Sequence, residues 1–110
     1  MAQPDVFGGE REKVNADYRK RLAARLQRIE RLQNDLAGGI APAARLADLH
    51  RDLHTIAGSA DMFGLPAATQ AARAAEALLE LHLNDGSLPG PEGWAQLRRL
   101  IAVLRQAGSS

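Results

Sequence analysis

Apolar side chains recur at intervals of three and four residues in four stretches of the chain. This spacing places them on one face of an α-helix, which turns once in about 3.6 residues. Glycine and proline separate the stretches, and the resulting boundaries predict helices at about 10–37, 42–63, 66–83 and 91–106. The apolar positions are Val14, Tyr18, Leu22, Leu26, Ile29, Leu32 and Leu36; Leu46, Leu49, Leu53, Ile56, Ala60 and Phe63; Ala68, Ala72, Ala75 and Leu79; and Trp94, Leu97, Ile101 and Leu104.

Four amphipathic helices joined by short connections predict an all-α fold, an antiparallel up-down-up-down four-helix bundle over residues 10–107. The 110 residues suffice for one domain with a single core. Hydrophobic residues make up 45% of the chain and aromatic residues only 4%, so the core must be built mainly from aliphatic side chains. We expect flexible termini at 1–9 and 108–110.

Charge and cysteine content narrow the classes of function. Fourteen Lys and Arg against 13 Asp and Glu leave a net charge of +1, without the basic excess typical of nucleic-acid binding. The absence of cysteine excludes disulfides and thiolate chemistry. No apolar run approaches the ~20 residues of a membrane span, and residues 1–12 lack the apolar stretch of a signal peptide. We therefore expect a soluble cytoplasmic protein with no nucleic-acid or membrane partner.

The second helix carries the candidate chemistry. His50, His54, Ala57, Gly58 and Asp61 share one flank, roughly 110° around the helix from the centre of its apolar stripe. Glycine inside a helix costs about 0.5–1 kcal/mol relative to alanine. Glycine at position 58 would leave the surface beside His54 bare, so that another molecule can approach the ring, and this would explain why the less stable residue is present. Taken alone, however, a histidine on a helix flank is much more often structural than functional, and the glycine could likewise serve helix–helix packing.

The segment from His54 to Gly64, HTIAGSADMFG, resembles the signature of histidine phosphotransfer (HPt) domains. That family has an aliphatic residue two positions after its histidine, then glycine and small residues, and a second glycine ten positions on. The matching positions here are His54, Ile56, Gly58, Ser59, Ala60 and Gly64. Ala57 departs from the pattern, because the family often has lysine there.

The resemblance implies a phosphocarrier in two-component signalling, without autonomous catalytic activity. His54 would accept a phosphoryl group from a receiver aspartate or a sensor histidine kinase and pass it to a response-regulator receiver domain. The chain itself would bind no cofactor, and Mg²⁺ would come from the receiver. The expected phosphoryl and partner surface consists of His50, Ala57, Gly58, Ser59, Asp61 and Arg73.

Helix geometry adds a partner for His54. The second helix descends about 13 Å from His54 to Phe63, and an antiparallel third helix rises about 15 Å from Pro66 to Glu76. Glu76 should therefore be level with His54 and could accept a hydrogen bond from Nδ1–H, as the acid of a catalytic triad orients its histidine. Chemotaxis-kinase HPt domains, which this sequence resembles, have a glutamate at the same separation. Arg73, one turn below, could reach the phosphoryl oxygens in place of the missing lysine.

Other interpretations stay open. The chain could be a helical module that binds receiver domains without phosphorylation, which Ala57 would favour. It could also be part of a hybrid kinase, although the initial methionine favours a stand-alone chain. His50 and His54 have the i, i+4 spacing of a helical metal pair, but no further ligand motif accompanies them, and we predict no metal site. His82 is expected to interact with the last carbonyls of the third helix.

Overall fold

The computed structural model describes the backbone of residues 6–109 and the side chains of residues 13–109. Its helices are α1 (Val6–Ala37), α2 (Leu46–Met62), α3 (Pro66–Asp85) and α4 (Pro91–Ser109), and a short 3₁₀ helix (Ala43–Arg45) precedes α2. There is no strand within the described range, so the prediction of an all-α fold is confirmed.

The four helices form an antiparallel up-down-up-down bundle. Each helix packs against its neighbours in sequence, and α4 closes the ring against α1. Contacts between α1 and α2 show their opposite directions, because Tyr18 lies beside Ser59 while Arg25, two turns further along α1, lies beside Asp52. Helices α2 and α4 lie diagonally across the bundle and are not neighbours within the described residues. The side of α2 that points away from the core is exposed to solvent.

The core contains the predicted apolar stripes of all four helices except for Val14 and Phe63, of which Phe63 is partly buried and packs against the core. Leu49, Leu53, Leu79 and Leu97 are fully buried near its centre. Val14 was expected in the stripe of α1 but is 49% exposed. Tyr18 is already level with Ser59 near the end of α2, so Val14, one turn earlier, lies where α2 can no longer cover it. No helix within residues 6–109 is both long enough and apolar enough to cross a lipid bilayer.

The starts of α1 and α2 and the end of α4 differ from the predicted boundaries. Helix α2 begins at Leu46 instead of position 42, because residues 43–45 form the 3₁₀ helix. Helix α1 begins at Val6 and runs through the glycines at positions 8 and 9, and α4 continues to Ser109. Gly108 is part of the packing, because a Cβ there would lie 2.8 Å from Leu22 Cδ2. Residues 6–9 and 108–109, expected to be flexible, are thus helical, and the rest of that prediction concerns residues outside the described range.

A tight connection of three residues, Phe63 to Leu65, reverses the chain between α2 and α3. Gly64 has φ +70°, a left-handed conformation that side chains other than glycine rarely adopt. The Leu65 N–H donates to the Ala60 carbonyl at 3.0 Å, which closes the end of α2 in the manner of a Schellman motif. Phe63 stacks on Tyr18 with ring centroids 4.1 Å apart. The reversal therefore fixes how α3 is aligned along α2.

Candidate functional site

Helices α2 and α3 bring His54 and Glu76 together. The His54 Nδ1 lies 2.9 Å from Glu76 Oε2, so the contact expected from helix rise is present. The two side chains differ in exposure: that of His54 is 74% exposed, whereas that of Glu76 is 12% exposed. The imidazole is consequently held from below by a largely buried carboxylate and presents its outer edge to solvent.

The hydrogen bond determines which ring nitrogen carries the proton. An ionised carboxylate can only accept, so Nδ1 must donate, and the Nε2 of a neutral His54 then has a free lone pair. This tautomer is assigned from the hydrogen-bond partner. The arrangement gives a fixed, exposed and nucleophilic nitrogen.

A second histidine–glutamate pair lies one turn away. His50 Nε2 is 3.2 Å from Glu80 Oε1 and 3.9 Å from Glu76 Oε2. Glu80 was not predicted as a site residue. Its position could have been found from the sequence, because Glu80 follows Glu76 by four residues and His50 precedes His54 by four. In antiparallel helices, the register that places Glu76 beside His54 therefore places Glu80 beside His50. The two pairs lie one turn apart along the interface between α2 and α3.

The surface beyond His54 is open at Gly58. A Cβ built on Gly58 would meet nothing within 4 Å, so packing inside the domain does not require glycine there. The neighbouring Asp61 is exposed as well. An approaching molecule would therefore meet little side-chain bulk on this side of the ring.

The structure differs from the predicted surface at Ala57 and Ser59. Ala57 is only 4% exposed and belongs to the core cluster, which also contains Ala72 and Ala75 of α3. Ser59 faces α1 instead of the flank that carries His54. Its hydroxyl donates to the Thr55 carbonyl at 2.9 Å and accepts from the Tyr18 hydroxyl at 2.8 Å. These two residues are thus not part of an accessible surface around His54.

Arg73 is exposed on α3. By the antiparallel alignment that pairs His54 with Glu76, it is level with Ala57. Among the described side chains, it has no hydrogen bond or ion pair. A cation without a partner is therefore available one turn from His54.

His82 contacts the side chain of Ser87, two residues beyond the end of α3, and not the predicted carbonyls. Its Nδ1 lies 2.8 Å from Ser87 Oγ, and Ser87 donates through both its hydroxyl and its N–H to the Asp85 carboxylate. The hydrogen bonds from Ser87 hold the pKa of Asp85 below its usual range, with a smaller contribution from the nearby His82. This cluster closes the helix and is separate from the His54 site.

Comparison with protein families gives one match, to the family model described as Hpt domain, over residues 16–107. The matched region includes all four helices and both histidine–glutamate pairs. Comparisons with curated proteins and with solved structures give no match.

Proposed function

Because the chain belongs to the Hpt domain family, whose members act in histidine phosphotransfer within phosphorelays, we propose that His54 is its phosphoacceptor. The observation that carries the proposal is the hydrogen bond from Nδ1 to Glu76, which leaves Nε2 exposed and unprotonated. His50 and His82 are less suited, since His50 is turned toward Glu80 and His82 toward Ser87.

In the proposed reaction, the lone pair of His54 Nε2 attacks the phosphorus of a donor, in line with the bond that breaks. An N–P bond forms, and the bonding electrons of the broken bond leave with the donor oxygen. When a receiver aspartate later attacks the same phosphorus, the N–P bond breaks and the electrons return to Nε2. His54 is then neutral again, as a carrier must be.

Glu76 would assist this reaction through charge. When neutral His54 forms the N–P bond while keeping its Nδ1 proton, the ring becomes positively charged. A carboxylate 2.9 Å from Nδ1 stabilises that charge, and its low exposure reduces screening by water. The benefit grows as the charge develops, so the contact favours the transition state over the ground state.

The proposed partners are a sensor histidine kinase or a phosphorylated receiver as donor, and a response-regulator receiver domain as acceptor, with Mg²⁺ supplied by the receiver. The open surface at Gly58 and Asp61 supports docking of a folded domain over His54. Arg73 is proposed to contact the phosphoryl oxygens, since it is a cation without a partner and is level with the position at which the family often has lysine. A cytoplasmic location accompanies this proposal.

One observation favours a second function, that of a receiver-binding module that is never phosphorylated. Position 57, where family members often carry lysine, holds a buried alanine here. No cation therefore extends from position 57 toward a phosphoryl group on His54. Direct labelling of His54 distinguishes the two functions, because an interaction module would bind receivers without acquiring phosphate.

The test uses phosphoramidate, a small donor that transfers its phosphoryl group to imidazole nitrogen with loss of ammonia and needs no cognate kinase. The wild-type chain should gain one acid-labile, base-stable phosphate that a receiver domain then removes. His54→Gln should abolish the labelling while the far-UV circular dichroism stays unchanged, because the His54 side chain is 74% exposed. In the receiver assay, Arg73→Ala should slow transfer without abolishing it.

The matched controls are His82→Gln and His50→Gln, which remove the other two histidines one at a time. Both variants should still be labelled at His54. Continued labelling of His54→Gln would assign the phosphate to another residue and contradict the proposal. A wild-type chain that binds a receiver but takes up no phosphate, either from phosphoramidate or from a phosphorylated receiver, would establish the interaction module instead.

A further inference from the structure

Three side chains beside the phosphoacceptor converge on one point. Donor atoms of His50, Glu76 and Glu80 all lie within 4.8 Å of one another. We propose that His50, Glu76 and Glu80 form a binding site for a divalent transition-metal ion, with Zn²⁺ as the representative case. This site differs from the expectation of no metal site drawn from the sequence, because Glu80 was not considered there, and it goes beyond phosphoryl transfer although it shares Glu76 with it.

Two of the three distances between donor atoms are near those of tetrahedral coordination, and the third is at most 4.8 Å. Zinc binds histidine nitrogen and carboxylate oxygen at about 2.0–2.2 Å, so adjacent donors of a tetrahedral site are about 3.3–3.6 Å apart. His50 Nε2 is 3.2 Å from Glu80 Oε1 and 3.9 Å from Glu76 Oε2. Only small side-chain rotations are needed to place the three atoms around one ion, and the fourth position is open to water or another ligand.

The backbone holds the three ligands in place. Glu76 and Glu80 are one turn apart on α3, and His50 faces them from the adjacent turn of α2. The side chains of Glu76 and His50 are only 12% and 23% exposed, so packing has already restricted them. Glu80 is 57% exposed and gives the ion access from solvent. Little ordering is therefore left for the metal to impose.

The charge of the cluster favours a cation. The carboxylates of Glu76 and Glu80 face only the imidazoles of His50 and His54, and neither carboxylate is paired with a lysine or arginine among the described side chains. A divalent ion would neutralise this excess negative charge. The mixed imidazole and carboxylate donors favour zinc and similar transition metals, because Mg²⁺ prefers a shell of oxygen ligands and retains its water.

Metal binding requires His50 to change tautomer. In the structure, its Nε2 faces the Glu80 carboxylate at hydrogen-bond distance and so carries the proton. Coordination through Nε2 moves that proton to Nδ1, or to solvent if the ring was charged. The same change gives a spectroscopic signature, because the two ring nitrogens of His50 exchange their protonated and unprotonated chemical shifts.

The site is coupled to His54 through Glu76, a consequence that rests on the proposed function. An ion on Glu76 withdraws electron density from the carboxylate that accepts the His54 Nδ1 proton. The carboxylate then stabilises a positive ring less well, so phosphorylation of His54 should slow. Glu76 is a positioning residue in this scheme, and the metal acts through it.

Isothermal titration of the full, untagged chain with ZnCl₂ tests the site directly, with ¹⁵N NMR of the histidine rings as a second readout. We expect one ion per chain and movement of the His50 ring signals. Glu80→Gln should weaken binding by about tenfold or more, and millimolar Mg²⁺ should not compete. Glu92→Gln, which removes an exposed acid at the start of α4, is the matched control and should bind zinc as the wild type does.

Absence of binding at millimolar zinc, or equal affinity in wild type and Glu80→Gln, would overturn the site. Equal weakening in Glu92→Gln would also overturn it, because the ion would then respond to net charge alone. Phosphoramidate labelling with and without saturating zinc tests the coupling. We expect zinc to slow the labelling of the wild type several-fold and to leave the labelling of Glu80→Gln unchanged. Unchanged labelling would refute the coupling. A chain that is never labelled would refute the phosphoacceptor assignment together with the coupling, whereas the titration decides the metal site by itself.

Discussion

Gly58 lies one helical turn beyond His54, and the space on its outer side is empty. Replacing it separates two roles that a surface glycine can have, in stability and in docking. Gly58→Ala should stabilise the bundle, because alanine is favoured over glycine inside a helix by about 0.5–1 kcal/mol and the new Cβ meets no neighbour. For a domain of this size, the melting temperature should rise by roughly 2–6 °C.

Gly58→Gln adds bulk at the same position. Glutamine is also a better helix former than glycine, so the variant should be at least as stable as the wild type. In a docked complex, however, the longer side chain would occupy space that the proposed partner needs. Overpacking of a well-fitted contact costs about 1–3 kcal/mol, which corresponds to about 5- to 150-fold slower transfer.

Two assays separate docking from the reactivity of His54. The rate of phosphoryl transfer to a receiver domain that accepts phosphate from the wild type should fall in Gly58→Gln. Phosphoramidate labelling should stay within about twofold, because so small a donor does not need the bare surface. Ala102→Gln, on the exposed side of α4, is the matched control, since α4 is not a neighbour of α2 within the described part of the chain.

Unchanged receiver transfer in Gly58→Gln would refute the idea that glycine is needed for docking. An equal fall in both assays would contradict it as well, because the damage would then lie in His54 itself. A drop in melting temperature for Gly58→Ala would show that the position is not as unconstrained as the empty space around it indicates.

Two further predictions concern hydrogen bonds. Glu76→Ala should let both neutral tautomers of His54 populate, which would make the ¹⁵N chemical shifts of the two ring nitrogens converge. It should also slow phosphoramidate labelling by about tenfold, equivalent to roughly 1.4 kcal/mol. Unchanged ring shifts would mean that Glu76 does not fix the tautomer. Ser87→Ala should raise the pKa of Asp85 toward its usual range, because the main stabiliser of that carboxylate is removed. The lowered pKa of Asp85 stabilises the folded state fully only at a pH above the pKa of Asp85 in the unfolded chain. The wild type should therefore lose this stabilisation as the pH falls through the titration of Asp85, and the variant should lose less. Identical ¹³C titration curves of Asp85 in the two proteins would contradict this.

Local spacing accounts for most of the fold. The intervals of three and four residues located four helices, and proline at Pro66 and Pro91 marked the start of α3 and α4 correctly. The contact between His54 and Glu76 followed from helix rise and a short connection, both of which are local quantities. These features need no knowledge of how distant side chains pack.

The parts that spacing did not predict depend on packing between helices. Ala57 is buried because the alanine-rich face of α3 comes close enough to cover more of α2 than its apolar stripe indicated. Ser59 was placed on the surface from the family resemblance, although it lies about 140° around α2 from His54, and its hydroxyl bonds instead to Tyr18, which is 41 positions away in the chain. The periodicity of one helix shows neither how closely a second helix approaches it nor which residues remote in sequence form hydrogen bonds with it.

The three-residue connection from Phe63 to Leu65 makes the chemistry sensitive to chain length at a place remote from it. One inserted residue that extended α2 or α3 would rotate the following positions by about 100° and advance them by about 1.5 Å. Glu76 would then turn away from His54, and another side chain of α3 would take its place. Homologues that preserve this histidine–glutamate pair should therefore tolerate substitutions in the connection far better than insertions or deletions, and a natural change in its length would identify domains that position their histidine in another way.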